Sequence, residues 1–106
     1  MTAREIIRQR LGVDPEAIDE LCRRWRIREL SLFGSALRDD FQSDSDVDLL
    51  VVFDPQAPWD LWDLTAMEDE LQNLFGRRVD VVEKRAVKNP YRRFEILTNR
   101  QVVYAA

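Results

Sequence analysis

Hydrophobic side chains in the first quarter of the chain recur with the spacing of an α-helix. An opening helix is predicted from Thr2, which with Glu5 has the capping-box pattern, to Gly12. A second helix is predicted after Asp14, a capping residue, and Pro15, which suits the first helical position. Its apolar residues stand at i, i+3, i+4 and i+7, and they are Ile18, Leu21, Cys22 and Trp25.

The pattern then changes to that of β-strands. Residues 30–33 form a short apolar run that stops at Gly34-Ser35, and the polar residues 36–45 predict a helical turn followed by a loop. Residues 46–53 are the strongest strand in the sequence. Because their second half is almost continuously apolar, we expect this strand to be buried on both faces, in the centre of a sheet covered by helices.

A third helix and a third strand are predicted in the second half of the chain. Asp60 can cap the helix, and Gly76 can end it. Its predicted stripe, broken only by a glutamate, consists of Leu61, Leu64, Glu68, Leu71 and Phe75. Residues 78–82 follow as the next strand.

The C-terminal region completes the predicted fold. Pro90 is expected to open a short helix through Phe94 and Leu97, and residues 102–104 are expected to form an edge strand or a docked tail. This order of elements predicts an α/β (α+β) fold, with a small mixed β-sheet packed by helices.

Composition narrows the class of protein. The 106 residues are 45% hydrophobic and 34% charged, which predicts one domain over residues 1–106. No apolar run approaches the roughly 20 residues that span a bilayer, so we expect no membrane association and a cytoplasmic location. The net charge of −4 argues against a direct nucleic-acid-binding surface, because such surfaces present excess lysine and arginine to the phosphates.

The residue types present also restrict the chemistry. There is no histidine, which excludes Ser-His-Asp triads, Cys-His pairs and histidine-bearing zinc sites. The single Cys22 has no disulfide partner within the chain and is expected to be a small core residue. Any metal chemistry must therefore use oxygen ligands.

Two aspartates stand at the start of the strongest strand. Successive side chains of a strand point to opposite faces, so Asp46 and Asp48 share one face while Val47 and Leu49 point into apolar packing. Carboxylates this close repel each other unless a cation compensates them, and Mg²⁺ bound by carboxylates and substrate phosphates is the usual solution. The pair therefore predicts a magnesium site.

Asp80 repeats this context in the next strand, between Val79 and Val81. It is the natural third member of the acidic cluster, because an unpaired carboxylate is costly to bury. Two ions held by such a cluster, roughly 3.5–4 Å apart, can activate an attacking oxygen and clamp a triphosphate during in-line displacement. Gly34 and Ser35 directly follow a strand, where exposed N–H groups and a hydroxyl can hold phosphate oxygens.

The same residues admit other interpretations. Asp44, Asp46 and Asp48 imitate the first ligands of an EF-hand loop, but Leu49 and Pro55 occupy positions that require glycine and glutamate. Solvated carboxylates at a strand entry, or a simple turn at Gly34-Ser35, are the structural alternatives. The pairs Arg23-Arg24, Arg77-Arg78 and Arg92-Arg93 are interpreted as solvated ends of elements, and Trp25, Trp59 and Trp62 as core or partner-packing residues.

The segment from Leu32 to Val51 resembles the G-S-x10-D-x-D signature of the DNA polymerase beta-like nucleotidyltransferase superfamily, and most closely its minimal nucleotidyltransferases. The resemblance implies that Asp46 and Asp48 are metal ligands and that Asp80 is the third acidic ligand or the base. It also implies that Gly34 and Ser35 contact the triphosphate and that Arg38 contacts phosphate. Family members commonly have Gly-Ser-Arg-x-Arg-Gly, and this chain departs from that pattern at Ala36 and Asp39.

The resemblance further implies a function. Minimal nucleotidyltransferases are typically antitoxins paired with a HEPN-domain ribonuclease toxin, so a Mg²⁺-dependent transfer of AMP from ATP to a tyrosine of that toxin is expected, in a complex of the two proteins. The alternative is a non-enzymatic antitoxin that neutralises its toxin by binding alone. The sequence leaves open the acceptor, the nucleotide preference and the number of nucleotides transferred.

Overall fold

The computed structural model describes residues 1–106. The elements are α1 (Ala3–Glu5), which continues into a π-helical turn (Ile6–Arg10), α2 (Pro15–Arg24), β1 (Ile27–Phe33), β2 (Val47–Phe53), α3 (Leu61–Phe75), β3 (Val79–Glu83), α4 (Pro90–Asn99) and β4 (Gln101–Ala105), with short 3₁₀ turns at Gly34–Leu37 and Lys84–Ala86. None of these helices has the length and apolarity that crossing a membrane requires.

The four strands form one mixed sheet in the order β3-β2-β1-β4. β1 pairs antiparallel with both β2 and β4, whereas β2 and β3 run parallel. β2 therefore has a neighbour on each side, as its apolar sequence predicts. The mixed sheet packed by helices is confirmed, and residues 102–104 belong to an edge strand.

The two faces of the sheet differ in what covers them. Val47, Leu49 and Val51 of β2 belong to the main core of 21 buried residues, which includes residues of α1, α2 and α3. Leu50 points the other way, into a smaller cluster with Ile96 of α4. Since side chains alternate along a strand, Asp48 lies on the α4 face, beside Leu50.

Helix starts and stops follow the capping residues that the sequence offers. The Thr2 and Asp14 side chains accept backbone hydrogen bonds at the starts of α1 and α2, and Asp60 forms a reciprocal capping box with Asp63. α3 ends at Gly76, whose φ of 67° is left-handed.

Cys22 is buried in the core, as predicted, and burial raises the pKa of its thiol to about 12.

Some boundaries differ from the predicted ones. β1 begins at Ile27 rather than at residue 30, because Ile27 pairs with Phe53 at the far end of β2. β2 begins at Val47, which leaves Asp46 just before the strand. The predicted start of the α3 stripe is wrong: Leu61 is 80% exposed, since it lies in the first helical turn, and the buried residues of α3 are Met67, Leu71 and Phe75.

Candidate active site

Asp48 and Asp80 are direct partners across the two parallel strands, β2 and β3. The register pairs Asp48 of β2 with Asp80 of β3, between the pairs Val47 with Val79 and Leu49 with Val81. Adjacent strands are roughly 4.8 Å apart and paired residues point to the same face, so the two carboxylates emerge side by side. Asp46 lies two residues before Asp48 and is exposed.

The electrostatics of Asp48 reflect this crowding. Burial raises the pKa of the half-buried Asp48 carboxyl, and the negative charges of Asp80 and, more weakly, Asp46 raise it further. The backbone N–H of Ser35 and the guanidinium of Arg38 act in the opposite direction. Asp48 is thus held where its negative charge is disfavoured, which is the condition that a bound cation relieves.

Gly34 joins β1 to this acidic cluster. Its φ of 70° is left-handed, and a Cβ built on it would lie 2.3 Å from Oδ2 of Asp48. Glycine is therefore required both by the backbone conformation and by the close approach of the carboxylate. The next residue, Ser35, donates its hydroxyl to the backbone carbonyl of Asp46 at 3.0 Å, so the turn is fastened to the entry of β2.

Two arginines, for which the sequence predicted no role in the site, shape the segment between Gly34 and Asp46. Arg10 donates through Nη1 to the carbonyls of Ala36 and Arg38, at 3.0 Å each. Arg77 lies 4.9 Å from the ring centre of Phe41, and it donates to the carbonyls of Gln42 and Ser45 at 3.3 Å each. Long-range contacts of this kind leave no local signal in the sequence. The prediction that the 77–78 pair is simply a solvated end therefore misses the contacts of Arg77.

Arg38 lies at the edge of the site. Its side chain is exposed and paired with Asp40 at 3.3 Å. With Gly34 it lines one side of a cleft of about 520 Å³, whose opposite side is formed by α4 through Arg92, Ile96 and neighbouring residues. The cleft therefore begins at the glycine that touches Asp48 and extends toward α4.

The donor set suits a hard cation held jointly with a substrate. No three acidic side chains converge closely enough to form a ready metal-ligand set. Mg²⁺ does not need one, because it is commonly bound by one or two carboxylates together with substrate phosphates and water. The register pair Asp48 and Asp80, with Asp46 next to it, fits that mode of binding. The metal-binding roles of these residues remain predictions.

Comparison with known families decides the class of protein. Residues 15–103 match the model of the nucleotidyltransferase domain. The chain belongs to that family. Gly34, Ser35 and the three aspartates all lie inside the matched nucleotidyltransferase region.

The similarity extends to a named relative and to solved structures. Protein adenylyltransferase MntA of Thermococcus cleftensis is 39% identical over 85 residues, which cover 80% of this chain and 81% of that protein. A solved structure classed as a minimal nucleotidyltransferase is 34% identical, has a TM-score of 0.70 and covers 94% of each chain. The resemblance to minimal nucleotidyltransferases is therefore confirmed.

Two more distant structures share the fold alone, at 19% identity each. One is a toxin–antitoxin with AMP-PNP, with a TM-score of 0.71, covering 89% of this chain and 75% of that one. The other is a tri-AMPylated HEPN toxin of Shewanella oneidensis in complex with an MNT antitoxin, with a TM-score of 0.58, covering 87% and 70%.

Proposed function

We propose that this chain is an antitoxin-type protein adenylyltransferase, which transfers AMP from ATP to a hydroxyl, expected to be that of a tyrosine, on a HEPN toxin. The observation that carries the proposal is the pairing of Asp48 with Asp80 beside the Gly34 turn, in a chain of the nucleotidyltransferase family. The adenylyltransferase relative and the complex with AMP-PNP support ATP as the donor. We assign the reaction to the cytoplasm, where ATP is available.

Each candidate residue has an assigned task. Asp46, Asp48 and Asp80 would hold Mg²⁺ together with the triphosphate, and Gly34, Ser35 and Arg38 would contact phosphate oxygens. When bound, the ions neutralise the triphosphate and polarise the reacting oxygens. The absence of a side chain at Gly34 lets the Asp48 carboxylate lie against the turn, so phosphates held by the turn would lie next to that carboxylate.

The proposed step is an in-line displacement at phosphorus. The acceptor oxygen forms a bond to the α-phosphorus of ATP, the bond between that phosphorus and the bridging oxygen to the β-phosphate breaks, and pyrophosphate leaves. The proton of the acceptor hydroxyl passes to a carboxylate of the cluster, for which Asp80 is our candidate. The protein's contribution is mainly orientation and charge neutralisation.

A labelling experiment tests this function. The purified chain is incubated with the product of the adjacent gene, Mg²⁺ and ATP labelled at the α-phosphate, and label on that partner is measured by gel and by intact mass. The double variant Asp46→Asn, Asp48→Asn should lose labelling. Asp44→Asn is the matched control, because Asp44 is an exposed carboxylate in the same loop that lies outside the paired cluster.

The outcomes separate the candidate functions. Label on the partner that disappears in the double variant and persists in Asp44→Asn supports the proposal. Label that survives the double substitution contradicts the assigned site. A partner that is neutralised without ever acquiring label would instead support an antitoxin that acts by binding alone.

A further inference from the structure

Charge is distributed very unevenly along this chain. Residues 1–83 contain nineteen acidic and ten basic side chains, whereas residues 84–106 contain six basic side chains and one glutamate. The basic segment includes α4, which has two arginines, Arg92 and Arg93, and which covers the same face of the sheet on which Asp48 lies. The charged residues that α4 contributes to the lining of the cleft are one arginine, Arg92, and one glutamate, Glu95.

Arg92 is the basic residue of α4 that reaches the cleft. It lines the cleft of about 520 Å³ together with Gly34 and Arg38, on the opposite side from the turn. Its side chain is exposed and takes part in no ion pair and no hydrogen bond within the chain. A guanidinium with free donors, across a cleft from a second guanidinium, is suited to bind phosphate oxygens.

Its neighbour Arg93 differs in exposure, in hydrogen bonding and in the surface that it borders. Arg93 is half-buried, and its Nη1 donates to the carbonyl of Lys84 at 2.9 Å. It borders a separate groove of about 280 Å³ beside Val52 and Glu83. The two arginines are adjacent in sequence but serve different surfaces, so the pair offers a matched comparison.

We propose that α4 forms the second wall of the nucleotide site and that Arg92 binds the β- and γ-phosphates of the triphosphate, opposite Arg38. This inference rests on the proposed function, since it concerns the same donor nucleotide. The α-phosphate has to lie at the carboxylate cluster for transfer, and Gly34 connects that cluster to the cleft. The cleft volume lies within the roughly 300–1,000 Å³ of small-molecule sites.

Ala36 strengthens the case for an arginine from outside the turn. The side chain at position 36 is fully buried in the core, so this position of the turn presents no group to a phosphate. Arg38 is the only basic residue of the segment 34–45, and its guanidinium is already paired with the carboxylate of Asp40. A triphosphate bound at the turn therefore needs further positive charge, and Arg92 on the far side of the cleft supplies it.

Binding measurements test the inference without turnover. The probes are the α,β-methylene analogue of ATP, in which the bond to be broken is replaced, pyrophosphate and AMP, each with Mg²⁺ and titrated by calorimetry. In Arg92→Gln, the affinities for the triphosphate analogue and pyrophosphate should fall about tenfold, and the affinity for AMP should change less than twofold. Arg92→Lys should recover part of the loss, and Arg93→Gln should bind all three probes like the wild type.

The possible results distinguish a failure of the role assigned to Arg92 from a failure of the proposed AMP transfer. If Arg92→Gln binds the triphosphate analogue as tightly as the wild type does, the inference is overturned. It is also overturned if the affinity for AMP falls equally, because Arg92 would then attract any anionic ligand without contacting the β- and γ-phosphates. If Arg92→Gln binds normally while Asp48→Asn abolishes AMP transfer, only the inference fails. A wild-type chain that binds none of the magnesium-loaded probes overturns both.

Discussion

The backbone of Gly34 lies directly against the carboxylate of Asp48, so close that a Cβ at position 34 would be 2.3 Å from Oδ2. The turn after β1 and the acidic end of β2 are consequently one structural unit. A phosphate bound at the turn would meet the carboxylate at the same time, which would couple the proposed binding of the triphosphate to the proposed metal ligands.

Gly34→Ala should therefore abolish nucleotide transfer. The left-handed φ of 70° costs about 1–2 kcal/mol for an alanine, and its methyl group would force Asp48 out of position. Gly12→Ala and Gly76→Ala are matched controls, because their φ values are 68° and 67° and a Cβ there meets nothing within 4 Å. The controls should lose similar stability in thermal unfolding but keep their labelling activity; an active Gly34→Ala would contradict the coupling.

Asp48→Asn should separate stability from activity. The amide removes the repulsion among Asp48, Asp80 and Asp46, so the metal-free variant should unfold at a higher temperature than the wild type. Transfer of AMP should fall on the order of 10³-fold, since a metal-binding carboxylate contributes several kcal/mol to the transition state. Calorimetric unfolding with and without Mg²⁺ measures both effects: the metal should stabilise the wild type more than the variant.

Arg10→Met should weaken nucleotide binding through the turn. Arg10 does not line the cleft, but its two hydrogen bonds to the carbonyls of Ala36 and Arg38 hold the segment that follows Gly34. The KM for ATP should rise several-fold, with a smaller change in kcat, because the carboxylates themselves are untouched. Arg8→Met removes the same charge from an exposed side chain in the same turn of helix, and it should leave both constants near their wild-type values.

Glu70 predicts a pH-dependent contribution to stability. The Arg24 guanidinium, and then the Trp25 indole N–H at 2.8 Å, lower the pKa of this carboxyl below its usual value of 4.5. The stabilisation is therefore fully present above that value and is lost as the pH falls through the lowered pKa of the folded state. Because Glu70 is about one-third exposed, solvent screening limits its contribution to about 0.5–1 kcal/mol.

Denaturant unfolding followed by tryptophan fluorescence checks this contribution. Trp25 packs edge-on against Trp59, at 5.1 Å between ring centres, so two of the three tryptophans report on the affected site. Glu70→Gln should unfold more easily than the wild type at pH 7, and the difference should shrink progressively as the pH is lowered below 4.5. Glu68→Gln is the control, because Glu68 lies on the same helix and its carboxylate has no hydrogen-bond partner. Its stability should differ less from that of the wild type at pH 7.

The sequence was sufficient to predict the elements that position the site. The continuous apolar run of β2 predicted a central strand, and the caps at Asp14 and Asp60 predicted two helix starts. Strand alternation predicted that Val47 and Leu49 pack into the core, which they do, whereas Asp46, predicted to share the face of Asp48, lies just before the strand. These are local signals, and in each case neighbouring residues in the chain carry them.

What the sequence could not predict depends on contacts between distant segments. The pairing of Asp48 with Asp80 requires the parallel register of β2 and β3, and Arg10 reaches the turn from 26 residues away. Trp59 and Trp62 were predicted together as core or interface residues, but they separate: Trp59 donates to the carbonyl of Trp25, whereas Trp62 is 83% exposed. Partner contact by Trp62 stays a prediction.

Asp80 lies on an edge strand, so the strand that carries it has fewer hydrogen-bonded neighbours than the strand that carries Asp48. β2 is hydrogen-bonded on both sides, whereas β3 has β2 as its only partner. The amides of β2 should therefore exchange with deuterium only on global unfolding, and those on the free side of β3 through small local openings. One carboxylate of the pair therefore lies on a strand that is hydrogen-bonded on both sides, and the other lies on an edge strand that can open locally.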